Sequence, residues 1–171
     1  DGHLDLVVAG DTSSITDPSP STTLYLGDGT GGFTRADAGL PGLYRASSDV
    51  GDVNEDGNLD LVLTGRNANF APTTAGYLGD GEGGFTTASA RPPGGGRGSS
   101  TLGDVNGDGH LDLVITGQNT ANSASAAVYL GYGDGRFTRA DAGLVEVRQS
   151  SSDLGDIDGE DCRASQSGRT V

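Results

Sequence analysis

The chain has 171 residues, a formal net charge of −14 at pH 7 and a hydrophobic share of 33%. A length of this size is typical of one domain. The acidic balance excludes the basic surface that nucleic acids and anionic membranes require, so we expect neither as a partner. No apolar run approaches a membrane span, so we expect no membrane insertion, and the single cysteine, Cys162, excludes an intrachain disulfide.

The sequence contains three copies of one unit, and such self-similarity is the signature of a repeat architecture. The copies begin with the segments DGHLDLVVAG, DGNLDLVLTG and DGHLDLVITG, at residues 1, 56 and 108. The three units span, in order, residues 1–55, 56–107 and 108–159. Residues 160–171, which include Cys162, follow no part of the pattern, and we assign this C-terminal tail no role.

Each unit is predicted to contribute four short β-strands, because apolar runs alternate with the Asp-Gly and Gly-Gly pairs of hairpin turns. Around the second unit the strands are predicted at residues 48–53, 59–64, 74–78 and 85–90, and the glycine-rich segment 91–100 is predicted to be a connector. We find no amphipathic helix. Four antiparallel strands at a period of just over fifty residues indicate an all-β fold of β-propeller blades, three repeat units per chain. A stack of β-solenoid coils is the alternative, although its coils are normally much shorter.

Aromatic residues recur at two fixed places in the unit, which predicts that they pack in the core of every blade. They are Tyr25, Tyr77 and Tyr129 at the first place, and Phe33, Phe85 and Phe137 at the second.

An acidic loop precedes the second strand of the predicted blade, in the segment GDVNEDGNLD at residues 51–60. Oxygen-bearing side chains at positions 1, 3 and 5 of the loop converge, and glycine at position 6 permits the chain to turn back. Position 7 offers its carbonyl group and position 9 a further carboxylate. Such hard oxygen ligands are typical of Ca²⁺, whereas Mg²⁺ accepts fewer protein ligands and a stricter geometry. The predicted ligands are Asp52, Asn54, Asp56, Asn58 and Asp60 in this loop, and Asp104, Asn106, Asp108, His110 and Asp112 in its second copy.

A bound cation explains why like charges crowd into so short a loop, since the carboxylates would otherwise repel one another. The alternative is that Asp, Asn and Gly are only good turn formers. Two loops with the same ligand positions favour the ion. The loops are not EF-hands, because position 12 is Leu63 or Ile115 where that motif needs Glu.

The segments GDVNEDGNLDLVLTG and GDVNGDGHLDLVITG, followed by YLGDGEGGF and YLGYGDGRF, resemble FG-GAP repeats, also called VCBS-type repeats. Such repeats build the β-propeller of integrin α-subunits and occur in many secreted bacterial proteins. The resemblance covers residues 1–159. It implies integrin-like propeller blades whose first hairpin holds Ca²⁺, in an extracellular setting of binding or cell adhesion.

The two ends of the sequence carry the two halves of a third acidic loop, with predicted ligands Asp156, Asp158, Asp1, His3 and Asp5. His3 would act through its carbonyl group, as His110 does. Propellers usually have at least four blades, so the three units of one chain are too few to close. Two chains joined end to end would make a six-bladed ring without exposed strand edges. We therefore expect a head-to-tail homodimer, the alternative being that the chain is a piece of a longer propeller.

The function that the resemblance implies is that of a calcium-binding propeller module of a secreted or cell-surface protein, acting in adhesion or in binding a protein or glycan ligand. Because the chain begins with Asp1 and not Met, we interpret it as part of a longer precursor. We expect no enzyme, since no acid–base set is found outside the loops. The alternatives are the calcium-stabilised propeller of a polysaccharide-acting enzyme and a purely structural repeat fragment.

Overall fold

The computed structural model describes residues 2–13, 19–88, 92 and 94–157. In these ranges the chain forms eleven β-strands and no helix, hence no helix that could cross a membrane. Sheet 1 contains β1 (Leu6–Asp11), β2 (Pro20–Gly27) and β3 (Phe33–Ala36). Sheet 2 contains β4 (Tyr44–Gly51), β5 (Asp60–Arg66), β6 (Pro72–Gly79) and β7 (Phe85–Thr87). Sheet 3 contains β8 (Gly96–Gly103), β9 (Asp112–Gln118), β10 (Ala124–Gly131) and β11 (Phe137–Ala140).

All three sheets are antiparallel, with their strands in chain order across the sheet. The all-β fold is confirmed, and four-stranded sheets form twice. Sheet 1 has three strands, because no described strand pairs with β1 in the way that β4 pairs with β5 and β8 pairs with β9. The first strand of each four-stranded sheet comes from the end of the preceding sequence unit. Among the predicted residues, Asp1, Asp158 and the tail 160–171 lie outside the described part of the chain.

The first strands begin earlier than predicted. In β4 the strand starts at Tyr44 rather than at residue 48, and its register with β5 shifts between Tyr44 and Ser47. The register shift lies at Arg45, where the strand forms a bulge and φ, at 48°, is in the left-handed region. Arg97 in β8 takes the same conformation, with φ 53°. The connector predicted at residues 91–100 is therefore wrong in its second half, which belongs to β8.

Two apolar clusters lie between neighbouring sheets. The first contains Leu43, Leu61, Leu63, Ala75 and Tyr77, with Val7, Leu40, Ala46 and Phe85 packed against it. The second contains Val62, Leu113, Ile115, Ala127 and Tyr129, with Leu102 and Phe137 packed against it. Consecutive side chains of a strand point to opposite faces, so Leu61 and Leu63 face sheet 1 while Val62 faces sheet 3. Sheet 2 is therefore covered on both faces, and every residue of β5 is buried.

The first strands of successive sheets lie side by side. The backbone N–H of Leu102 in β8 donates to Asp49 Oδ2 in β4 at 2.8 Å, and the N–H of Ser100 donates to Ser47 Oγ at 3.2 Å. In a β-propeller the first strands of neighbouring blades lie side by side around the central axis. Sheets 2 and 3 are arranged in this way, and the repeats form a propeller-like module.

The recurring aromatic residues are covered best in sheets 2 and 3, each of which has a sheet in front of it, whereas Tyr25 in sheet 1 is half-buried. Tyr77 and Tyr129 are 8% and 6% exposed, and Phe85 and Phe137 pack on the two clusters. Phe33 in sheet 1 is 51% exposed, contrary to the prediction. Its counterpart Phe85 faces the preceding sheet, and no described residues form such a sheet in front of sheet 1.

Candidate metal-binding loops

Both acidic loops join the first strand of a sheet to the second. Loop A (residues 52–59) connects β4 to β5, and loop B (residues 104–111) connects β8 to β9. The chain turns back at position 6, where Gly57 has φ 89° and Gly109 has φ 92°. Glycine adopts this region without the steric cost that a Cβ brings. The turn brings position 5 of each loop back beside position 1.

In loop A the side chains of positions 1, 3 and 5 meet. The N–H of Asp56 donates to Asp52 Oδ1 and to Asn54 Oδ1, each at 3.2 Å. The Asn54 amide donates to Asp56 Oδ2 at 2.9 Å. The N–H of Gly57 donates to Asp52 Oδ2, also at 2.9 Å. The loop thus holds three oxygen-bearing side chains at one place.

Loop B repeats these contacts with its own residues. The N–H of Asp108 donates to Asp104 Oδ1 at 3.2 Å and to Asn106 Oδ1 at 2.9 Å. The Asn106 amide donates to Asp108 Oδ2 at 2.8 Å, and the N–H of Gly109 donates to Asp104 Oδ2 at 2.9 Å. Identical side chains at identical positions produce the same arrangement, so the two loops are one structural element used twice.

The aspartate at position 9 ties each loop to the neighbouring hairpin. Asp60 is 1% exposed, and its Oδ2 accepts from Val53 N at 2.9 Å while Oδ1 accepts from Gly79 N at 2.9 Å. Asp112 is 0% exposed and accepts from Val105 N at 2.9 Å and Gly131 N at 2.8 Å. Each carboxylate therefore also acts as a buried bridge, a role that the sequence prediction did not include.

The charges of loop A act on one another. Burial raises the pKa of the Asp60 carboxyl, and the nearby charges of Asp56 and Asp52 add to the shift. The hydrogen bond from the N–H of Asn58 holds the pKa of Asp56 below its usual value. In loop B the N–H of His110 likewise lowers the pKa of Asp108. Position 5 therefore carries a negative charge at neutral pH in both loops.

The oxygen donors of the loops are of the type that a hard divalent cation prefers. In the described ranges, however, no three His, Cys, Asp or Glu side chains lie close enough together to hold an ion as they stand. The carboxylates accept hydrogen bonds from their own loops. Each carboxylate oxygen has a second lone pair, so one N–H does not prevent it from also binding an ion. An ion would draw positions 1, 3 and 5 inward, with position 7 contributing its carbonyl group.

The histidine of loop B contacts the preceding loop. His110 Nδ1 pairs with Glu55 Oε1, and this hydrogen bond raises the pKa of His110. The His110 side chain is 35% exposed. Sequence reasoning missed this contact because Glu55 and His110 lie in different units, and position 4 is glycine in loop B.

The third predicted loop consists of two halves, of which the structure describes only a part. Asp5 accepts from Gly27 N at 2.9 Å, as Asp60 and Asp112 do from the corresponding glycines. Gly2 has φ 84°, the conformation of position 6 in loops A and B. The other half ends at Ile157, which is 97% exposed, whereas its counterpart Val53 in loop A is 4% exposed. Of the remaining predicted ligands, His3 lies beside Gly29, Asp156 is exposed on the other half, and Asp1 and Asp158 are outside the described residues.

Comparison with known proteins identifies the repeated unit. Residues 1–63, 52–115 and 104–161 each match the family model described as FG-GAP-like repeat. The matches overlap at residues 52–63 and 104–115, so loops A and B, with the start of the strand that follows each, belong to two successive matches. No curated protein and no solved structure shows a significant match to the chain.

Proposed function

The chain belongs to the family of FG-GAP-like repeat proteins, and on this premise we propose that loops A and B bind Ca²⁺ and that the ions stabilise the propeller-like module. The observation that carries the proposal is the recurrence of one arrangement: three oxygen-bearing side chains in contact, a left-handed glycine, and a buried carboxylate at position 9. A turn alone does not require oxygen-bearing side chains at positions 1, 3 and 5 together.

The proposed ligands of loop A are the side chains of Asp52, Asn54, Asp56 and Asp60 with the carbonyl group of Asn58. Those of loop B are Asp104, Asn106, Asp108 and Asp112 with the carbonyl group of His110. A divalent cation would neutralise the crowded carboxylates; burial is the main cause of the raised pKa of Asp60, and the charges of Asp56 and Asp52 add a smaller part. It would also tie the end of the first strand to the start of the second. The ion in this proposal is structural, and the proposal includes no enzymatic step.

Thermal unfolding tests the calcium proposal. Melting curves are recorded in Ca²⁺, in Mg²⁺ and in EGTA. A single site at a hundred times its dissociation constant adds about 2.7 kcal/mol, and for this chain length each kcal/mol moves the melting temperature by roughly 2–4 °C. We expect a clear rise in Ca²⁺ and a smaller one in Mg²⁺. Curves that superimpose in Ca²⁺ and EGTA would contradict the proposal.

Matched variants locate the effect. Asp56→Asn and Asp108→Asn keep the shape of the side chain and remove one carboxylate from each loop. Asp80→Asn is the control, because Asp80 is also an exposed carboxylate that caps a turn, accepting from Glu82 N at 2.8 Å and Gly84 N at 2.9 Å. We expect the two loop variants to lose part of the calcium-dependent rise, and the control to keep it.

We further propose that the module belongs to a secreted or cell-surface protein and binds a protein or glycan ligand. The family resemblance and the acidic calcium loops support this proposal. Extracellular calcium modules bind the ion with dissociation constants of about 10⁻⁴–10⁻³ M. A calcium affinity in that range, with glycan or surface-protein binding that EGTA abolishes, would support the proposal. A submicromolar dissociation constant for calcium would contradict the extracellular setting. If the protein binds nothing on a glycan or surface-protein array, an architectural role would be favoured.

A further inference from the structure

Three arginines meet at the ends of β4, β5 and β8 that lie farthest from loops A and B. Arg45 and Arg97 are the bulge residues near the starts of β4 and β8, and Arg66 is the last residue of β5. Tyr44 pairs with Arg66 across the two strands, and its ring centroid lies 5.9 Å from Cζ of Arg45. A Cβ at Gly96 would lie 3.2 Å from Cγ of Arg66, so the residue before Arg97 packs on the same side chain. We call Arg45, Arg66 and Arg97 the arginine cluster.

Arg66 is a buried cation whose hydrogen-bond acceptors are all neutral. It is 6% exposed, and no ion pair among the described residues includes it. Its Nη1 donates to the carbonyl oxygen of Phe70 at 2.7 Å. Its Nη2 donates to Gln118 Oε1 at 3.1 Å and to Asn122 Oδ1. Because a buried charge costs free energy unless an opposite charge compensates it, this position favours an anion nearby.

Two guanidinium groups of the cluster also have an N–H without an acceptor. Nε of Arg66 and Nε of Arg97 are both buried, and neither donates to any group in the described part of the chain. Burial and the positive charges of Arg45 and Arg66 lower the pKa of Arg97, while the Tyr44 phenol opposes the shift. An unpaired buried donor and crowded like charges are both unfavourable, and one oxyanion would relieve both.

The chemistry of the cluster indicates the kind of ligand. A guanidinium group presents its N–H donors in a planar fork, which matches the oxygens of a carboxylate, sulfate or phosphate group. The chain as a whole has a net charge of −14, which repels a polyanion. The cluster therefore suits a single compact oxyanion group better than a nucleic acid or a polysulfated chain.

We propose that the arginine cluster binds one oxyanion, a carboxylate or a sulfate group, either free in solution or carried by an acidic sugar. Arg45 and Arg97 contact the oxyanion from the starts of their strands, and Arg66 supplies a buried positive charge. The ring of Phe70, which is 47% exposed and edge-on to Tyr44 at 6.0 Å, offers an apolar surface for a sugar. The site is separate from loops A and B, so the proposal does not rest on the proposed function and goes beyond it.

Anion titration followed by NMR tests the proposal on the full 171-residue chain. Proton–nitrogen correlation spectra of the arginine Nε–H groups are recorded with acetate, glucuronate or sulfate, and with chloride at the same ionic strength. We expect the Arg66 and Arg97 signals to shift and saturate with the oxyanions but not with chloride. A lower dissociation constant for glucuronate than for acetate would assign the oxyanion to a sugar, and the lowest one for sulfate would assign it to a free inorganic ion. Shifts that never saturate, or that are the same in chloride, would overturn the proposal.

Matched variants locate the site. Arg45→Gln and Arg97→Gln each remove one charge, and glutamine suits the bulge, because Gln149 has φ 49° at the corresponding place of the next repeat. Loss of a charged hydrogen-bond donor should weaken oxyanion binding about tenfold or more. Arg136→Gln is the control, since this exposed arginine pairs with Asp134 at 2.6 Å, and it should keep the wild-type affinity. Circular dichroism checks that each variant is folded, and equal affinities of the three folded variants would overturn the proposal.

Discussion

The carboxylate of Asp112 accepts a hydrogen bond from the backbone N–H of Gly131 at 2.8 Å, across nineteen residues of chain. The same side chain accepts from Val105 N inside loop B. The acidic loop and the β10–β11 hairpin are therefore joined by one fully buried side chain, even before any ion is considered.

Asp112→Asn should lower the free energy of unfolding in EGTA. The amide has one acceptor oxygen, so either the buried N–H of Gly131 or the part-buried N–H of Val105 faces an NH₂ group and is left without an acceptor. A buried donor without a partner costs about 1–3 kcal/mol. Denaturant unfolding measures the loss, with Asp80→Asn as the exposed control. Equal stability of the two variants would show that the bridge contributes little.

Gly131→Ala should also destabilise the protein, because a Cβ there would overlap the carbonyl oxygen of Leu111 in loop B. Gly27 and Gly79 face the corresponding carbonyl groups of Leu4 and Leu59, so the restriction recurs in every sheet. Overpacking costs typically about 1–3 kcal/mol. The exposed Thr138→Ala in the neighbouring β11 serves as the control, and a melting temperature equal to that of the control would contradict this explanation.

The substitution Asp49→Asn should increasingly stabilise the folded protein, relative to wild type, as the pH rises. Burial raises the pKa of Asp49, with Asp153 adding to the shift, while the N–H groups of Leu102 and Val50 oppose it. The folded protein therefore binds this proton more tightly than the unfolded chain does. Once the pH exceeds 3.8, the ordinary pKa of Asp, ionising the carboxyl lowers the free energy of unfolding. Asparagine keeps an acceptor for Leu102 without the charge.

Unfolding free energies from about pH 3 to about pH 7 measure this effect. The difference between Asp49→Asn and wild type should be small at the acid end and should grow in favour of the variant at higher pH. A difference that stays constant, or that grows in favour of the wild type, would contradict the assigned pKa direction.

Much of the fold could be predicted from the sequence, because the repeat fixes both the strand spacing and the turn residues. The hairpin turns with Asp-Gly and Gly-Gly pairs, and the loops from Asp52 and Asp104, are local patterns that require no knowledge of packing. The bulge at Arg45 and Arg97 could not be predicted, since arginine carries no signal for a positive φ. Strands β4 and β8 continue through the bulge to Tyr44 and Gly96, so part of the predicted connector belongs to β8.

Features that depend on contacts between repeats were also missed. The pair of Glu55 with His110 and the bridge from Asp60 to Gly79 join residues that no short motif relates. The exposure of Phe33 depends on which sheet precedes its own, and recurrence in the sequence carries no such information. Local chemistry was therefore predictable, whereas the neighbours of each site were not.

Counting bound calcium by equilibrium dialysis tests the central claim most directly, namely that loops A and B bind the ion. We predict that Asp56→Asn and Asp108→Asn, measured near the wild-type dissociation constant where each site is about half occupied, each bind about half an ion fewer per chain than wild type, that the double variant binds about one fewer, and that Asp80→Asn binds as many as wild type. No bound calcium at millimolar concentration, or equal binding by the wild type and the double variant, would contradict the account.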